Sequence, residues 1–394
     1  MAYTAITNRG TLDSGKIYEP ILSADTIIVH DGKIEAVGDK KLLDALKVHS
    51  DAYKVIDAGG MTVVPGLIDS HVHPVIGDYT PRQKMADFID SSLHGGVTTM
   101  ISAGECHTPG RPTDPAGVKA LAVLAQRSFQ KLRPGGVKVH GGAVILEKGL
   151  TEADFAELAA NGVWLVGEVG LGSIKKPVDA APMVQWAKAH GMKVMMHTGG
   201  TSIPGSSTVT AADVLAVNPD VVSHINGGPT AISPAEVDKL INESDLTLEI
   251  VQCGNPKIAD QVVRKLAKLG KLNRIVCGND APSGTGVIPL GILRTIVQIA
   301  SMSDIPAAAA IAMATGNTAQ VYGLNTGTIA PGKEADLAIV DAPMGSVGNN
   351  ALEAISAGDL PGVALVMIDG EIKVNKSRNT PPASSKVVIS ELRG

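Results

Sequence analysis

The sequence predicts an α/β protein with a central parallel sheet, and three observations support that prediction. Apolar runs rich in β-branched residues alternate with Ala- and Lys-rich segments of helical period between residues 64 and 325. Several of these apolar runs end in His, Glu or Asp. Both ends of the chain instead contain short strand-like runs joined by Asp-Gly dipeptides. The chain therefore combines a βα-repeat region with a smaller β-rich region.

Eight strand candidates lie in the βα-repeat region, and their starts are 25 to 40 residues apart. A (β/α)8 TIM barrel needs eight such units, so this barrel is the first prediction for the fold. A doubly wound open sheet has the same alternation and remains the alternative. The candidates span residues 64–73, 97–104, 137–145, 162–170, 193–199, 221–227, 246–254 and 274–282.

The two chain ends are predicted to form pieces of one small antiparallel sheet domain. ADTIIVH and KIEAVGD flank an Asp31-Gly32 turn, and GVALVMI and EIKV flank an Asp369-Gly370 turn. An Asp-Gly pair between two such runs is the strongest short-range sign of a β-hairpin. The last stretch, NKSRNTPPASSKVVISELRG, begins with polar residues. We expect it to form a C-terminal tail over the surface or toward a neighbouring subunit.

Composition and charge exclude several classes of protein. The 394 residues include 34 Lys and Arg, 39 Asp and Glu, and ten Phe, Trp and Tyr, with a net charge of -5. Nucleic-acid binding usually needs a basic surface and stacking aromatics, so we expect no nucleic-acid partner. Three cysteines without CxxC spacing cannot form a disulfide framework, which fits a reducing cytoplasm. No apolar run approaches the roughly 18 residues of a membrane helix, and we expect no membrane partner.

Candidate metal ligands stand at the ends of five of the predicted strands. His71 and His73 are two residues apart on a strand, so their side chains point to the same side and can bind one ion. Such a pair alone is weak evidence, because ordinary buried or surface histidines also occur in this spacing. Imidazole and carboxylate are ligands for zinc, iron, manganese or nickel. The later strand ends add Glu168, His197, His224 and Asp280.

Six ligands are too many for one tetrahedral ion and suit two divalent ions about 3.5 to 4 Å apart. We expect one ion at His71, His73 and Asp280, the second at His197 and His224, and Glu168 between them. The alternative for Glu168 is a carboxylate at a glycine-rich strand end that binds no metal. Metal-bound water with a pKa near 7 would supply the nucleophile of a hydrolysis. Asp280 is the candidate catalytic acid and base, and a purely ligating role is its alternative.

The sequence resembles that of the amidohydrolase superfamily, in particular its cyclic-amide branch of hydantoinases and dihydroorotases. The resemblance rests on VVPGLIDSHVHP, on the order of His197, His224 and Asp280, and on GLNTGTIAPGKEADLAIVD, and it covers nearly the whole chain. It implies a metal-bearing barrel over residues 64–325 and a small β-sandwich built from residues 1–63 and 326–394. Many cyclic-amide members carry a carboxylated lysine where this chain has Glu168, so their substrates do not transfer directly.

Segments beside the strand ends resemble one group within that branch, the enamidases of anaerobic nicotinate breakdown. The resemblance implies hydrolysis of the ring amide of 1,4,5,6-tetrahydro-6-oxonicotinate and loss of ammonia to give 2-formylglutarate. It also implies two zinc and/or iron ions in each subunit of a homotetramer. The alternatives are another cyclic amidohydrolase, such as a hydantoinase, an imidase or a dihydroorotase-like enzyme, and a metal-binding barrel without turnover. The segments include LHGGVTTMISAG, VGEVGLG, MHTGGTSIPGSSTVTA and VVSHINGGPTAIS.

Five further residues are candidates for binding the substrate. Arg111, in the loop HTPGRPTDP, could bind a substrate carboxylate through its guanidinium, and solvation at the surface is the alternative. His140 could contact the substrate carbonyl or a metal ligand, and a packed structural histidine is the alternative. Thr201, Asn226 and Thr285 stand in loops at the same ends of the strands and could donate to polar ring atoms.

Overall fold

The computed structural model describes residues 3–49, 52–77, 84–201, 207–228, 230–282 and 288–393. The strands in these ranges are β1 (Tyr3–Thr7), β2 (Thr11–Leu12), β3 (Thr26–His30), β4 (Lys33–Gly38), β5 (Ala52–Asp57), β6 (Thr62–Pro65), β7 (Leu67–Val72), β8 (Val97–Ser102), β9 (Lys138–His140), β10 (Leu165–Val169), β11 (Lys193–Met196), β12 (Val221–Val222), β13 (Thr247–Val251), β14 (Ile275–Gly278), β15 (Leu337–Asp341), β16 (Gly362–Ile368), β17 (Glu371–Asn375) and β18 (Val388–Arg393). The helices are α1 (Lys41–His49), α2 (Met85–Leu93), α3 (Pro115–Phe129), α4 (Glu152–Ala160), α5 (Ala181–Ala189), α6 (Ala211–Val217), α7 (Pro234–Glu243), α8 (Pro256–Lys268), α9 (Gly291–Ser303), α10 (Ala307–Met313), α11 (Gly316–Tyr322) and α12 (Ala351–Ala357).

The strands of the central region are parallel and pair in chain order. β7, β8 and β9 form one sheet, and β10 to β14 form a second. Isolated parallel bridges link the two sheets, between Val144 and Val166 and between Val72 and Ala281. Each of these strands lies within one of the predicted segments, which confirms the α/β alternation with parallel strands. A doubly wound sheet would reorder its strands, whereas these strands pair sequentially.

Apolar side chains from six of the parallel strands pack into one buried cluster. Helix α11 contributes Ala319 and Tyr322 to the same cluster, which therefore joins the strands to the helix that follows them. Burial of these apolar side chains removes them from water and is the main favourable term that holds the strands together. The strand residues are Ile68, Ile101, Leu165, Met195, Val221 and Val276.

The local sequence explains the start of helix α8, which lies between β13 and β14. At α8, the Asn255 side chain accepts hydrogen bonds from the main-chain N–H groups of Lys257 and Ile258, and Pro256 follows at the first helical position. Both features satisfy or remove N–H groups that a helix start leaves without partners. The buried face of α8 carries Ile258 and Val262 toward the strands. The helix is therefore fixed by its cap and by its apolar face.

The two chain ends form two five-stranded sheets, in the orders β18-β5-β1-β3-β4 and β17-β16-β15-β6-β2. Both predicted hairpins are present, as β3–β4 and as β16–β17. Asp31 and Gly32 have φ angles of 46° and 76°, as the favoured two-residue hairpin turn requires. The two sheets share one buried apolar cluster, with Ile6 and Ile56 from the first and Ile339 and Leu365 from the second.

The C-terminal segment, expected to be a surface tail, ends in a strand. β18 pairs antiparallel with β5 at the edge of the first terminal sheet. The side chains of Val388 and Ile389 remain exposed there, because an edge strand buries little of its surface. Main-chain hydrogen bonds hold β18 against β5. The strand therefore needs no buried side chains, and its sequence has no alternating apolar pattern that would predict it.

Lys138, at the start of β9, joins the parallel strands to the terminal sheets. Its Nζ lies 2.5 Å from Glu334, 2.8 Å from Asp336 and 2.7 Å from Asp369. Burial alone would lower the pKa of Lys138, but the carboxylates, Asp336 first, raise it. The ammonium charge is therefore retained in a half-buried position, and it offsets the burial of the completely covered Asp336 side chain.

Replacement of this lysine tests its role as the link between the two regions. Lys138→Met removes the cation and leaves the Asp336 carboxylate buried without it, so we expect a loss of about 3–5 kcal/mol in the free energy of unfolding. Urea denaturation measures this loss. The control Lys239→Met breaks an exposed pair with Glu243 on α7 and should cost less than about 1 kcal/mol. Equal losses in the two variants would show that Lys138 has no special role.

Candidate metal centre

Six buried side chains with metal-binding atoms meet at the carboxyl ends of the parallel strands. They are the six ligands that the sequence predicts, and they form two groups. Within each group the ligand atoms lie within 4.8 Å of one another. The first group is His71, His73 and Asp280, and the second is Glu168, His197 and His224.

The first group joins the ends of β7 and β14. Nε2 of His71 lies 3.2 Å from Nε2 of His73, and Oδ1 of Asp280 lies 3.5 Å and 3.3 Å from these two nitrogens. The Asp280 main-chain N–H donates to the His71 carbonyl at 2.9 Å, which holds the two strand ends together. Asp280 has a φ angle of 53°. Left-handed backbone at a residue other than glycine is uncommon and concentrates at functional sites.

The second group lies beside the first, and Glu168 stands between the two. Oε1 of Glu168 is 2.8 Å from Nε2 of His224, and Nδ1 of His197 is 3.1 Å from that same nitrogen. The two Glu168 oxygens are each 3.7 Å from one Nε2 atom of the first group, on His71 and on His73. His224 also has left-handed backbone, with a φ angle of 33°. The position of Glu168 suits a carboxylate shared between two ions.

Outer hydrogen bonds fix the orientation of the two histidines in the first group. Nδ1 of His73 donates to the Gly104 carbonyl at 2.9 Å, and Nδ1 of His71 lies 2.7 Å from Oε2 of Glu249. Because a carbonyl can only accept, the His73 proton sits on Nδ1 and the lone pair of Nε2 points toward His71. Metal-ligating histidines almost always have such a partner on their second nitrogen.

The chemistry of this donor set fits a bound cation. Nε2 of His71 and Nε2 of His73 lie 3.2 Å apart, and with the proton of each ring on Nδ1 both lone pairs can bind one cation. Oε1 of Glu168 is buried, and it accepts no hydrogen bond from the residues that the structure describes. Its 2.8 Å contact with Nε2 of His224 is an ion-pair contact without hydrogen-bond geometry. A divalent ion would satisfy these atoms.

Both carboxylates and one imidazole of the site already have the charge that a metal ligand needs. Burial raises the pKa of Glu168, but His224 and His71 together hold it well below its usual range. Burial likewise raises the pKa of Asp280, and His71 and His73 lower it. Burial and the neighbouring His224 lower the pKa of His197 to about 4. Both carboxylates are therefore ionised, and His197 is neutral, at neutral pH.

Arg111 is held by a buried carboxylate at the same ends of the strands. Its Nη1 lies 2.9 Å from Oε1 of Glu147, whose side chain is completely buried and also accepts from the Ser173 N–H at 2.8 Å. The guanidinium is thus fixed within the protein and is not a freely solvated surface group. Among the described residues, the Arg111 side chain donates to Glu147 and to the Pro112 carbonyl, and not to any of the six candidate ligands.

The remaining loop candidates differ in their surroundings. Asn226, expected to donate to the substrate, instead uses both ends of its amide on Val251: Nδ2 donates to the carbonyl and Oδ1 accepts from the N–H, each at 2.9 Å. This amide holds the chain after β12 against β13, and one of its two Nδ2 N–H groups stays outside that pair of hydrogen bonds. Thr201 is exposed, with Oγ1 3.3 Å from that of Thr208. Thr285 lies outside the described residues.

His140 is separate from the six candidate ligands. Its ring packs edge-on against Trp164 with 5.4 Å between the ring centres. It lines a cavity of about 450 Å³ together with Lys138 and Glu334, the residues at the junction with the terminal sheets. In the described ranges no contact joins His140 to the six ligands. The expected contact with a metal ligand is therefore not seen, and the His140 ring packs against Trp164 instead.

Sequence reasoning missed the residues that surround the ligands. Glu249, in the apolar strand β13, contacts His71, and Cys106 places Sγ 3.5 Å from Nδ1 of His73. Burial raises the pKa of Cys106, but His73 and His107 lower it to about 6. The signal for Glu249 was present, because it is the one charged residue in the strand TLEIV. Cys106 follows β8, so its place near the carboxyl ends of the strands was predictable from the sequence, but its contact with His73 was not.

The comparison with known families agrees with this site. The model of the amidohydrolase family matches residues 62–373. The chain belongs to the amidohydrolase family. This amidohydrolase is 65% identical over 389 residues to enamidase of Eubacterium barkeri, which covers 99% of this chain and 100% of that protein. It is also 27% identical over 328 residues to an adenine deaminase of Ruegeria sp., covering 80% of this chain and 51% of that one.

Solved structures give the same result for the fold. The crystal structure of enamidase superposes with a TM-score of 0.95 and 63% identity, covering 99% of this chain and 100% of that one. N-isopropylammelide isopropylaminohydrolase from Burkholderia multivorans superposes with a TM-score of 0.63 at 18% identity. The match covers 96% of this chain and 99% of that one, and it shows a similar fold only. This amidohydrolase therefore has the fold of its superfamily, whose members depend on metal. In the described part of the chain, every helix is too short or too polar to span a membrane.

The placement of His140 predicts a specific loss of stability in acid. Burial lowers the pKa of His140 to about 4, and the nearby Glu334 and Lys138 have smaller, opposing effects. An unfolded chain has a histidine pKa of about 6.5, so between pH 6.5 and 4 the unfolded state binds a proton that the folded state does not. The stability associated with neutral His140 is therefore present above pH 6.5 and is lost as the pH falls.

We expect His140→Gln to lose less stability than the unchanged protein between pH 7 and pH 4.5. The difference should be on the order of 2 kcal/mol, measured by urea denaturation at both pH values. Protonation of the metal centre is common to both proteins and cancels in this comparison. Identical losses would mean that His140 is protonated in the folded state.

Proposed function

We propose that this amidohydrolase is an enamidase, which opens the ring amide of a carboxylated six-membered lactam. The observation that carries this proposal is the 65% identity to a curated enamidase over the full length of both chains. The six buried ligand residues, gathered in two groups, support it from the structure. The expected substrate is 1,4,5,6-tetrahydro-6-oxonicotinate, and the expected products are 2-formylglutarate and ammonia.

The proposed architecture is a closed (β/α)8 barrel over residues 64–325 with a β-sandwich of residues 1–63 and 326–394. The bridges from Val72 to Ala281 and from Val144 to Val166 support closure, because they link the two parallel sheets at both ends. The apolar cluster shared by the two terminal sheets supports the sandwich. A barrel places the carboxyl ends of all its strands at one face, where the six ligands are needed.

The proposed cofactor is a pair of divalent ions, zinc and/or iron. His71, His73 and Asp280 would bind one ion, His197 and His224 the other, and Glu168 would bind both. When bound, such ions lower the pKa of water and polarise an amide carbonyl. Imidazole and carboxylate accept several metals, so supply decides which ions are present.

Asp280 is the proposed acid and base of the reaction. Its side chain is 11% exposed, against 4% for Glu168, so it is the ligand carboxylate that a substrate can reach more easily. Its ionised form can accept the proton of the attacking water and return it to the ring nitrogen as the amide C–N bond breaks. The product of this step is a carboxylate with a primary enamine. A second water converts the enamine to the aldehyde and releases ammonia.

Arg111 is the proposed partner of the substrate carboxylate. A guanidinium has five N–H donors, so the hydrogen bond to Glu147 leaves others for a second carboxylate. Thr201 and Thr285 remain proposed donors to the ring. Cytoplasmic location and a homotetramer are also part of the proposal, and three cysteines without a disulfide in the described part of the chain support a reducing compartment.

A substrate panel tests the proposed reaction. Metal-replete protein incubated with tetrahydro-6-oxonicotinate should release one ammonia for each ring opened, because the enamine loses its nitrogen. An ammonia assay combined with substrate absorbance measures both events, and heat-denatured protein is the control. Unchanged lactam together with hydrolysis of hydantoin or dihydroorotate would assign the protein to another cyclic amidohydrolase.

Replacement of Asp280 tests its proton-transfer role. Asp280→Asn should lower kcat about 10²- to 10⁴-fold, because an amide cannot accept the proton of the attacking water. The rate is expressed per bound metal, measured by elemental analysis, since Asp280 is also a proposed ligand. The control Asp341→Asn alters a buried carboxylate of β15 that accepts from the Ser385 N–H, and it should leave kcat unchanged. Full activity of Asp280→Asn would place the acid and base elsewhere.

A further inference from the structure

Glu249 is a completely buried carboxylate that contacts both ligand groups. Its Oε2 lies 2.7 Å from Nδ1 of His71 and also accepts from the His224 main-chain N–H at 3.2 Å. Its Oε1 accepts from the Ser70 hydroxyl at 2.5 Å. The Glu249 side chain is 0% exposed, so it cannot contact a substrate. It thus contacts one residue of each group, at Nδ1 of His71 and at the main-chain N–H of His224, and not at the Nε2 atoms that face the other ligands.

The burial of this charge needs an explanation. An ionised carboxylate is costly to remove from water unless a positive charge and hydrogen-bond donors compensate it. The ion-pair partner of Glu249 is His71, and no Lys or Arg in the described ranges pairs with it. An apolar residue would fill a position in the apolar strand β13 without this penalty. The carboxylate is therefore better explained by what it does to His71 and His224 than by stability.

The surrounding strands leave room for this carboxylate. Gly278 of β14 lies next to Glu249, and a Cβ at that position would come within 3.1 Å of Oε1 and 2.6 Å of the His71 Cβ. A side chain at residue 278 would thus displace either the carboxylate or the histidine. Three strands, β7, β13 and β14, build the position jointly.

We propose that Glu249 is a positioning residue that sets the metal affinity of both ligand groups, an inference that rests on the proposed metal centre. The carboxylate keeps the His71 proton on Nδ1, so that the lone pair of Nε2 faces His73 and Asp280. Its hydrogen bond to the His224 N–H holds that residue in left-handed backbone, from which the ring reaches Glu168. One side chain therefore orients a ligand of each ion.

Glu249→Gln tests this role with little change in shape. The amide nitrogen can only donate, so it leaves at least one of the three present donors without an acceptor, and the negative charge is lost. Replacing such an outer partner typically lowers metal affinity 10- to 100-fold. We expect a loss of this size for zinc, measured by competition with a chromophoric chelator, with both metal equivalents affected.

The matched control is Glu105→Gln. Glu105 is also buried, and it accepts from the Ser102 hydroxyl and the Gly142 N–H instead of from candidate ligands. Its zinc affinity should stay within about twofold of the unchanged protein. At saturating zinc, the KM of Glu249→Gln should also be unchanged, because Glu249 does not reach the substrate. The melting temperature of the metal-free proteins shows whether the fold is retained.

Zinc affinity of Glu249→Gln equal to that of the control would overturn the proposal. If Glu249→Gln shows no metal-free melting transition, the variant is unfolded and its zinc affinity does not report on the site. In that event the variant Ser70→Ala decides, because it removes a single donor to Oε1 of Glu249 and keeps the carboxylate charge. It should weaken zinc binding about two- to tenfold. An unchanged zinc affinity of this variant would contradict the inference.

The same measurements separate this inference from the proposed function. If the unchanged protein binds zinc but releases no ammonia from the lactam, the enamidase proposal fails while the affinities still test Glu249. If the unchanged protein binds no divalent metal, the metal centre itself is wrong and the role of Glu249 is rejected with it.

Discussion

The burial of three carboxylates beside four imidazole rings is the constraint on which the rest of this structure depends. Glu168, Glu249 and Asp280 are all removed from water at the carboxyl ends of the parallel strands. Such charges are tolerated only with opposite charge and well-placed donors around them. The strands supply these partners from neighbouring positions, and Oε1 of Glu168 accepts no hydrogen bond from the described residues. The site is therefore built for cations.

The positions of the ligands follow from simple features of the sequence. The spacing of His71 and His73 and the polar residues at the ends of five apolar runs were sufficient to predict that these six side chains come together, because parallel strands bring their carboxyl ends to one edge. The two hairpins of the terminal sheets were predictable for a similar reason, since Asp-Gly pairs require the backbone angles found at Asp31 and Gly32. Strand direction thus determines where the six side chains meet, and the backbone preference of Asp-Gly pairs determines the two hairpins.

Other features depend on packing that the sequence does not show. Asn226 has the right position in a loop, but its amide is used by the main chain of Val251. His140 ends a strand, yet it packs against Trp164 near the junction with the terminal sheets. Residues 307–322 form two helices, α10 and α11, that divide at Thr315, and Gly316 there packs against the main chain of Gly15. Each outcome depends on a neighbour distant in sequence, and pattern alone cannot identify that neighbour.

The central claim is that the six residues bind two adjacent divalent ions. Anomalous diffraction from crystals of metal-loaded protein tests it most directly, because the signal locates each ion without reference to activity. The account predicts two peaks about 3.5 to 4 Å apart, one beside His71, His73 and Asp280 and the other beside His197 and His224, with Glu168 between them. A single peak, or peaks away from these residues, would contradict it.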